Sequence, residues 1–236
     1  GVGQYVVKSL LEHQPSRIVA LDLTEGVDVL RKVLAERYPH LVDRVLIVQA
    51  SVFAMPFRAG SFDYVYSFGV LHHTGDTRRA ISAAASLVRQ GGELNVWVYA
   101  SALYPVDTRE PGREHLSGWS ALLRIAFVRL QARAWYSVFK HMSPSGADAF
   151  LHIFSSDLWY RLSRTPALRI LTRLVMSPPP HPDRDYRHIN LFDGYVNKWA
   201  ENWSEGEIFE LYKELGLAVR GVSVWRVGLW GVKAPE

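Results

Sequence analysis

Apolar positions change their period again and again along the first hundred residues. Residues 6–13 (VVKSLLEH) are apolar at helical spacing, and residues 16–23 (SRIVALDL) are a β-branched run that ends on an acid. Residues 24–38 restart a helix, with Thr24 placed to cap it and Val27, Leu30, Val33 and Leu34 on one face. Residues 45–50 (VLIVQA) and 62–68 (FDYVYSF) read as strands. Residues 75–92 read as a capped helix closed by Gly91 and Gly92, and 93–100 (ELNVWVYA) as a further strand. Strands that alternate with helices predict an α/β fold, a Rossmann-like doubly wound sheet that is mostly parallel.

The alternation stops after Tyr99. Residues 117–142 predict a long amphipathic helix, with Trp119, Leu122, Leu123, Ala126 and Leu130 on one side and Arg124, Arg129 and Arg133 across the other. Residues 157–176 predict one or two shorter helices split near Pro166, and the proline-rich stretch 177–185 (SPPPHPDRD) a connection that is neither helical nor ladder-paired. Residues 204–217 then carry a capping box, Ser204 with Glu207, and an Ile208/Leu211/Leu215 face closed at Gly216. Residues 218–235 read as an antiparallel strand pair. Three regions are therefore expected: a core over 1–100, a helical insert over 101–188 and a completion of the core over 189–236.

Composition narrows the class. The chain has 236 residues, 48% of them hydrophobic and 21% charged, as expected of a globular protein with a real core. With no cysteine there are no disulfides and no thiolate metal sites, which fits a cytoplasmic setting. The net charge of +4 divides as +1 over residues 1–100, +5 over 101–188 and −2 over 189–236. The basic middle is interleaved with aromatics. It reads as solvated helix faces, or as a docking face for an acidic substrate, anionic lipid or nucleic acid.

In an open parallel sheet, ligands bind beyond the carboxyl ends of the strands. Gly1 and Gly3 open the first helix, where backbone can approach a ligand closely. Asp22, 19 residues after Gly3, ends the next strand and can accept hydrogen bonds from a ribose diol. Together they favour an adenosine-containing ligand. A dinucleotide fingerprint fails, because Val6 is bulky where a third glycine is needed.

In their order, five stretches resemble the motifs of class I S-adenosylmethionine-dependent methyltransferases. Gly1-Val2-Gly3 looks like the tail of the first motif, and residues 20–24 (ALDLT) like the second. Residues 48–76 resemble the third and fourth motifs of the small-molecule branch that contains ubiquinone/menaquinone-type enzymes, and 87–99 the fifth. By this resemblance S-adenosyl-L-methionine is the cofactor. Gly1 and Gly3 would line its methionine and ribose side, Asp22 would hold the ribose hydroxyls and Leu23 would pack on the adenine. Val52 would offer its N–H to an adenine ring nitrogen, while Ser67 and Phe68 would face the amino-acid end. The family's adenine-contacting acid falls on Ser51, an uncharged acceptor. The family's first strand would precede Gly1, so the chain is expected to be N-terminally truncated. A fragment or a non-catalytic binding or regulatory module is the alternative to an active enzyme.

Methyl transfer is an in-line displacement in which the protein chiefly orients the acceptor and excludes water. An oxygen or activated carbon acceptor gains from a base near neutral pKa. His73, with His72 beside it, follows the fourth-motif strand and is the leading candidate; Tyr99, His188, Asn190, Asp193 and Tyr195 come second. No metal site is expected, since 181–188 (HPDRDYRH) is proline-broken and lacks helical ligand spacing. The acceptor is expected to be a small molecule, apolar or acidic. Nucleic acid is disfavoured because "SFGVLHH" stands where the family's amino-methylating members carry an Asn/Asp-Pro-Pro-aromatic motif. By the resemblance the insert forms a lid. Its aromatics then pack it onto the core, line an acceptor pocket with a basic mouth, or meet a membrane surface. Residues 187–199 (RHINLFDGYVNKW) resemble a stretch that borders the acceptor in a bacterial branch of the family.

Overall fold

The structure is a computed structural model that describes residues 3–99, 126–127, 130–131, 134–176, 178–196, 200–222 and 227–234. It divides into two compact units, Gly1–Ala100 with Glu201–Glu236, and Ser101–Ala200. Residues 189–200 thus cluster with the second unit.

The first unit opens with helix α1 (Gln4–Glu12), strand β1 (Ile18–Asp22), helix α2 (Gly26–Arg37), a 3-10 turn (Pro39–Arg44) and strand β2 (Val45–Gln49). β1 and β2 pair in parallel, Ile18 opposite Val45 and Asp22 opposite Gln49. Val6 and Leu10 of α1, Ile18 of β1, Leu30 and Leu34 of α2, and Leu41 bury together against this pair. The helical period of α2 buries Val27, Leu30 and Leu34 as the sequence predicts. Thr24 lies just ahead of it and accepts from the Gly26 N–H through Oγ1 at 3.2 Å.

Strand β3 (Phe62–Phe68), a short 3-10 turn (Leu71–His73), helix α3 (Thr77–Leu87) and strand β4 (Val88–Trp97) follow. After the second unit come helix α8 (Glu205–Glu214) and strands β5 (Leu217–Val222) and β6 (Gly228–Lys233). Among the described residues these strands form a second sheet in the order β3-β4-β6-β5, parallel at β3/β4 and antiparallel beyond. α3 and α8 pack on it. Ala80, Ala84 and Ala85 are small enough to bring α3 close to Val88, Leu94 and Val96, while Ile208, Leu211 and Tyr212 of α8 seal the remainder. The α8 capping box is present, with the Ser204 N–H donating to Glu207 Oε2 at 2.7 Å and the Glu207 N–H to Ser204 Oγ at 3.2 Å. The fold class is therefore mixed α/β as expected, although among the described residues the strands form two sheets and not one.

Helix α3 is shorter than predicted. It ends at Leu87, and Val88–Gly92 already belong to β4. Gly91 and Gly92 do not close a helix. They sit where the β3/β4 register shifts between Phe62 and Tyr64. A Cβ on Gly92 would come within 2.8 Å of the Asp63 carbonyl, so only glycine lets the two strands meet there.

The second unit contains a helical segment at residues 134–139, then α4 (Pro144–Ser155), α5 (Asp157–Arg164), α6 (Arg169–Val175) and α7 (Arg184–Val196). The break near Pro166 divides α5 from α6 as expected. Trp119, Leu122, Leu123, Arg124, Arg129 and Arg133 of the predicted long helix lie outside the described residues. Phe139, Leu151, Phe154, Met176 and Leu191 form this unit's core. Among the described residues, no helix is long and apolar enough to cross a membrane.

Candidate cofactor and acceptor site

The first unit brings its expected ligand-binding residues to strand ends and to the start of α1. Gly3 holds the left-handed conformation (φ 78°) ahead of α1, whose N-terminus no side chain caps. A Cβ at this position would meet Leu30 Cδ1 at 2.5 Å, so α1 starts flush against α2 only because residue 3 is glycine. Gly1 lies outside the described residues. At the end of β1, Asp22 Oδ1 accepts from the Thr24 N–H at 2.8 Å and from Thr24 Oγ1 at 2.6 Å, which fixes the carboxylate's orientation. Leu23 beside it is 66% exposed, an apolar side chain offered to solvent at a strand end. Gln49 ends β2 and donates through Nε2 to the Leu23 carbonyl at 3.2 Å, which ties the two strand ends together.

Ser51 faces its own turn. Its hydroxyl accepts from the Phe53 N–H at 3.2 Å, and its carbonyl from the Ala54 N–H at 3.0 Å. Val52 packs against the core of the four-stranded sheet. At the end of β3, Ser67 and Phe68 stand opposite Val96 and Trp97. Phe68 meets Tyr5 of α1 edge-on at 5.4 Å, and Ser9 Oγ donates to Tyr66 Oη at 3.5 Å. Helix α1 thus touches the end of β3 through Tyr5 while Gly3 rests on Leu30 of α2. Gly3 and Phe68 are drawn to one neighbourhood.

Just past β3, Gly69 turns left-handed (φ 72°) with Trp97 close behind it, and the Leu71–His73 turn carries the two histidines. His72 is fully buried, and neither of its ring nitrogens has a hydrogen-bond partner among the described residues. Its ring lies 3.9 Å from that of His73 and 3.9 Å from that of Tyr99. Burial, with the neighbouring His73 adding to it, pushes the His72 pKa down to about 3. The ring is therefore neutral at any physiological pH. His73 is half-buried, with Tyr99 edge-on at 5.3 Å. Sequence reasoning did not single out Glu201. Its N–H donates to the His72 carbonyl at 2.9 Å and its carboxylate accepts at 3.2 Å from the N–H of Thr77, 124 residues away, so it braces the histidine turn from far along the chain. Only the fold makes that contact visible.

His188, Asn190, Asp193 and Tyr195 all lie on α7, in the second unit. There Asn190 Nδ2 donates to the Tyr186 carbonyl, Tyr195 packs on Phe139 and burial raises its pKa, and His188 pairs with Asp148.

Residues 1–96 match the family described as "Methyltransferase domain". An uncharacterised protein of Synechococcus sp. is 34% identical over 102 residues, 42% of this chain and 24% of that protein. The erythromycin 3''-O-methyltransferase of Saccharopolyspora erythraea is 30% identical over 114 residues, 48% of this chain and 36% of the enzyme. The chain thus spans about a quarter to a third of the length of these curated relatives. In fold, an O-methyltransferase family protein of Burkholderia thailandensis superposes with a TM-score of 0.53 at 18% identity, over 100% of this chain and 49% of that one. Residues 1–96 are thus similar to a methyltransferase domain, the fold is Rossmann-like, and the cofactor that this similarity implies is S-adenosylmethionine. The residues present suit that group: a glycine with no room for a Cβ at a helix start, an oriented carboxylate at a strand end and an exposed leucine beside it.

Proposed function

We propose that the chain carries out S-adenosylmethionine-dependent methyl transfer to a small-molecule acceptor, with a hydroxyl oxygen as the first choice of methylated atom. The observation that carries this reading is the placement of Gly3, Asp22 and Phe68 at neighbouring strand and helix ends, with His73 on the turn that follows Phe68. The likeness to an erythromycin O-methyltransferase supports an oxygen acceptor. Gly3, Asp22, Leu23, Val52, Ser67 and Phe68 hold the cofactor, which supplies an electrophilic methyl group when bound. This chain's residues orient the acceptor, exclude water and take up its proton.

The two histidines divide that work. An imidazole with a pKa near 3 is too weak a base to accept a proton at neutral pH. His72 therefore forms an apolar wall behind Tyr99 and His73, and His73 is the base. The basic, aromatic-rich sequence of residues 101–188 supports an apolar or acidic acceptor.

One observation favours a second reading, a cofactor-fold module without turnover. Ser51 spends its hydroxyl on its own turn where the family places an acid. Isothermal titration of the full chain with S-adenosylmethionine separates the two. Binding that Asp22→Ala weakens at least tenfold is expected, with methyl transfer to hydroxylated acceptors lost in His73→Ala. No heat at millimolar cofactor would sink the enzyme reading.

A further inference from the structure

We propose that Asp148, His152 and His188 form a binding site in the second unit for one divalent transition-metal ion of the zinc type. Asp148 and His152 are four residues apart on α4 and so share one face of that helix. His188 comes from α7, packed alongside α4. One ligand atom from each of the three lies within 4.8 Å of the others. His188 Nε2 is 2.8 Å from Asp148 Oδ1, and His152 Nε2 is 3.6 Å from Asp148 Oδ2. The two imidazole planes lie 8° from parallel with centroids 3.9 Å apart. Metal bonds of about 2.0–2.2 Å place neighbouring ligand atoms roughly 3–3.5 Å apart. The His152 separation lies just above that range at 3.6 Å, and the His188 pair at 2.8 Å just below it, so each needs to move by only a fraction of an ångström.

The surroundings fit a ligated histidine. Ser155 is fully buried, and its hydroxyl sits 3.3 Å from His188 Nδ1 and 3.3 Å from the His152 carbonyl. With the ion on Nε2, the His188 proton that faced Asp148 gives way to one on Nδ1, which is donated to Ser155, and Ser155 donates onward to the carbonyl. That is the outer hydrogen bond by which metal-binding imidazoles are oriented. Two imidazoles and one carboxylate select a borderline cation over magnesium or calcium, which prefer all-oxygen sites. Asp148 and His152 are about half exposed, so the ion can enter from solvent and retain a water in the fourth position.

Arg184 opposes the site in one respect. Its Nη2 lies 3.3 Å from His152 Nδ1, and a guanidinium can only donate. The ion-free site therefore keeps the His152 proton on Nε2. Binding shifts that proton to Nδ1 and turns the exposed Arg184 side chain out to water. The bound ion would bolt α4 to α7 across the Phe139/Leu151/Met176 core.

Sequence spacing carries no such signal, since the third ligand lies 40 residues beyond Asp148. The test is titration of the full chain with zinc chloride at pH 7.5, with cobalt(II) absorption as a second probe. One equivalent is expected, weakened about tenfold or more by either His188→Gln or His152→Gln. Arg184→Ala should tighten it several-fold. Because His152 is exposed, His152→Gln reports even if His188→Gln fails to fold. The proposal is overturned if no zinc binds at 100 micromolar, a concentration about ten times a 10 micromolar dissociation constant. It is equally overturned if His152→Gln binds as tightly as the parent, since the ion then sits on some other histidine.

Discussion

Among the described residues, each unit buries one basic side chain completely, and the two are treated in opposite ways. Arg187 in the second unit spends every arm of its guanidinium. Nε donates to the Ser155 carbonyl at 2.9 Å, Nη1 to the carbonyls of His181 and Pro182 at 2.9 and 2.6 Å, and Nη2 to Asp157 Oδ1 at 2.5 Å. Its plane lies over Tyr160 at 4.5 Å. His72 in the first unit has aromatic neighbours on its faces and no hydrogen-bond partner at either nitrogen among the described residues. An arginine cannot discard its charge, so burial demands a full set of acceptors. An imidazole can discard its proton, so the same burial is tolerated at the cost of basicity. A satisfied buried cation is architecture, here pinning α7 to the proline-rich connection before it. An unsatisfied buried imidazole is instead held neutral by its surroundings.

Breaking the satisfied side has the largest expected effect. Arg187→Ala strands three carbonyls and should destabilise the second unit by about 3–5 kcal/mol, read by urea unfolding. Arg187→Lys should recover little of this, because an ammonium lacks the planar fork. A loss below 1 kcal/mol would mean that water replaces the guanidinium without cost.

Acid should break the other side. His72 titrates near 6.5 in the unfolded chain and about 3 in the folded one. As pH falls below 6.5 the unfolded chain takes up a proton that the folded chain refuses, so stability is lost progressively down to about pH 3. By those two values the total is about 5 kcal/mol. Urea unfolding at pH 7.5, 6 and 4.5 should show that decline, and His72→Phe should flatten it. Asp148 works in a lower window. Its carboxyl is held below its ordinary value by the His188 hydrogen bond, so its contribution is lost only below about pH 4. An unchanged slope in His72→Phe would show that His72 does take up a proton.

The smallest expected effect sharpens the site. Ser51→Asp puts a charge-assisted acceptor in place of a hydroxyl and should tighten S-adenosylmethionine about fivefold, near 1 kcal/mol, by titration. Equal or weaker binding would show that residue 51 turns away from the adenine.

Local rules made much of this legible. Ser204 and Glu207 announced α8, and Leu30 and Leu34 announced the buried face of α2, because caps and helical period depend only on near neighbours. Gly91-Gly92 misled, since a glycine pair after an alanine-rich run looks like a helix stop, and only the Asp63 carbonyl across the ladder makes it a strand irregularity. Asp22, Leu23 and Phe68 could be placed at strand ends by motif. The solitude of His72 and the brace from Glu201 could not, because both are facts about residues distant in sequence.

The seam between β4 and β6 has a consequence in time. Among the described residues, the core under β1 and β2 draws on residues 6 to 47, whereas the buried core of the larger sheet runs from Leu71 to Leu229. During synthesis the first can consolidate almost as soon as it emerges. β4 must wait, one edge unpaired, until the whole second unit has been made and Gly228–Lys233 arrives. Nascent chains paused before β6 should therefore be the form most exposed to edge-to-edge aggregation and to chaperones.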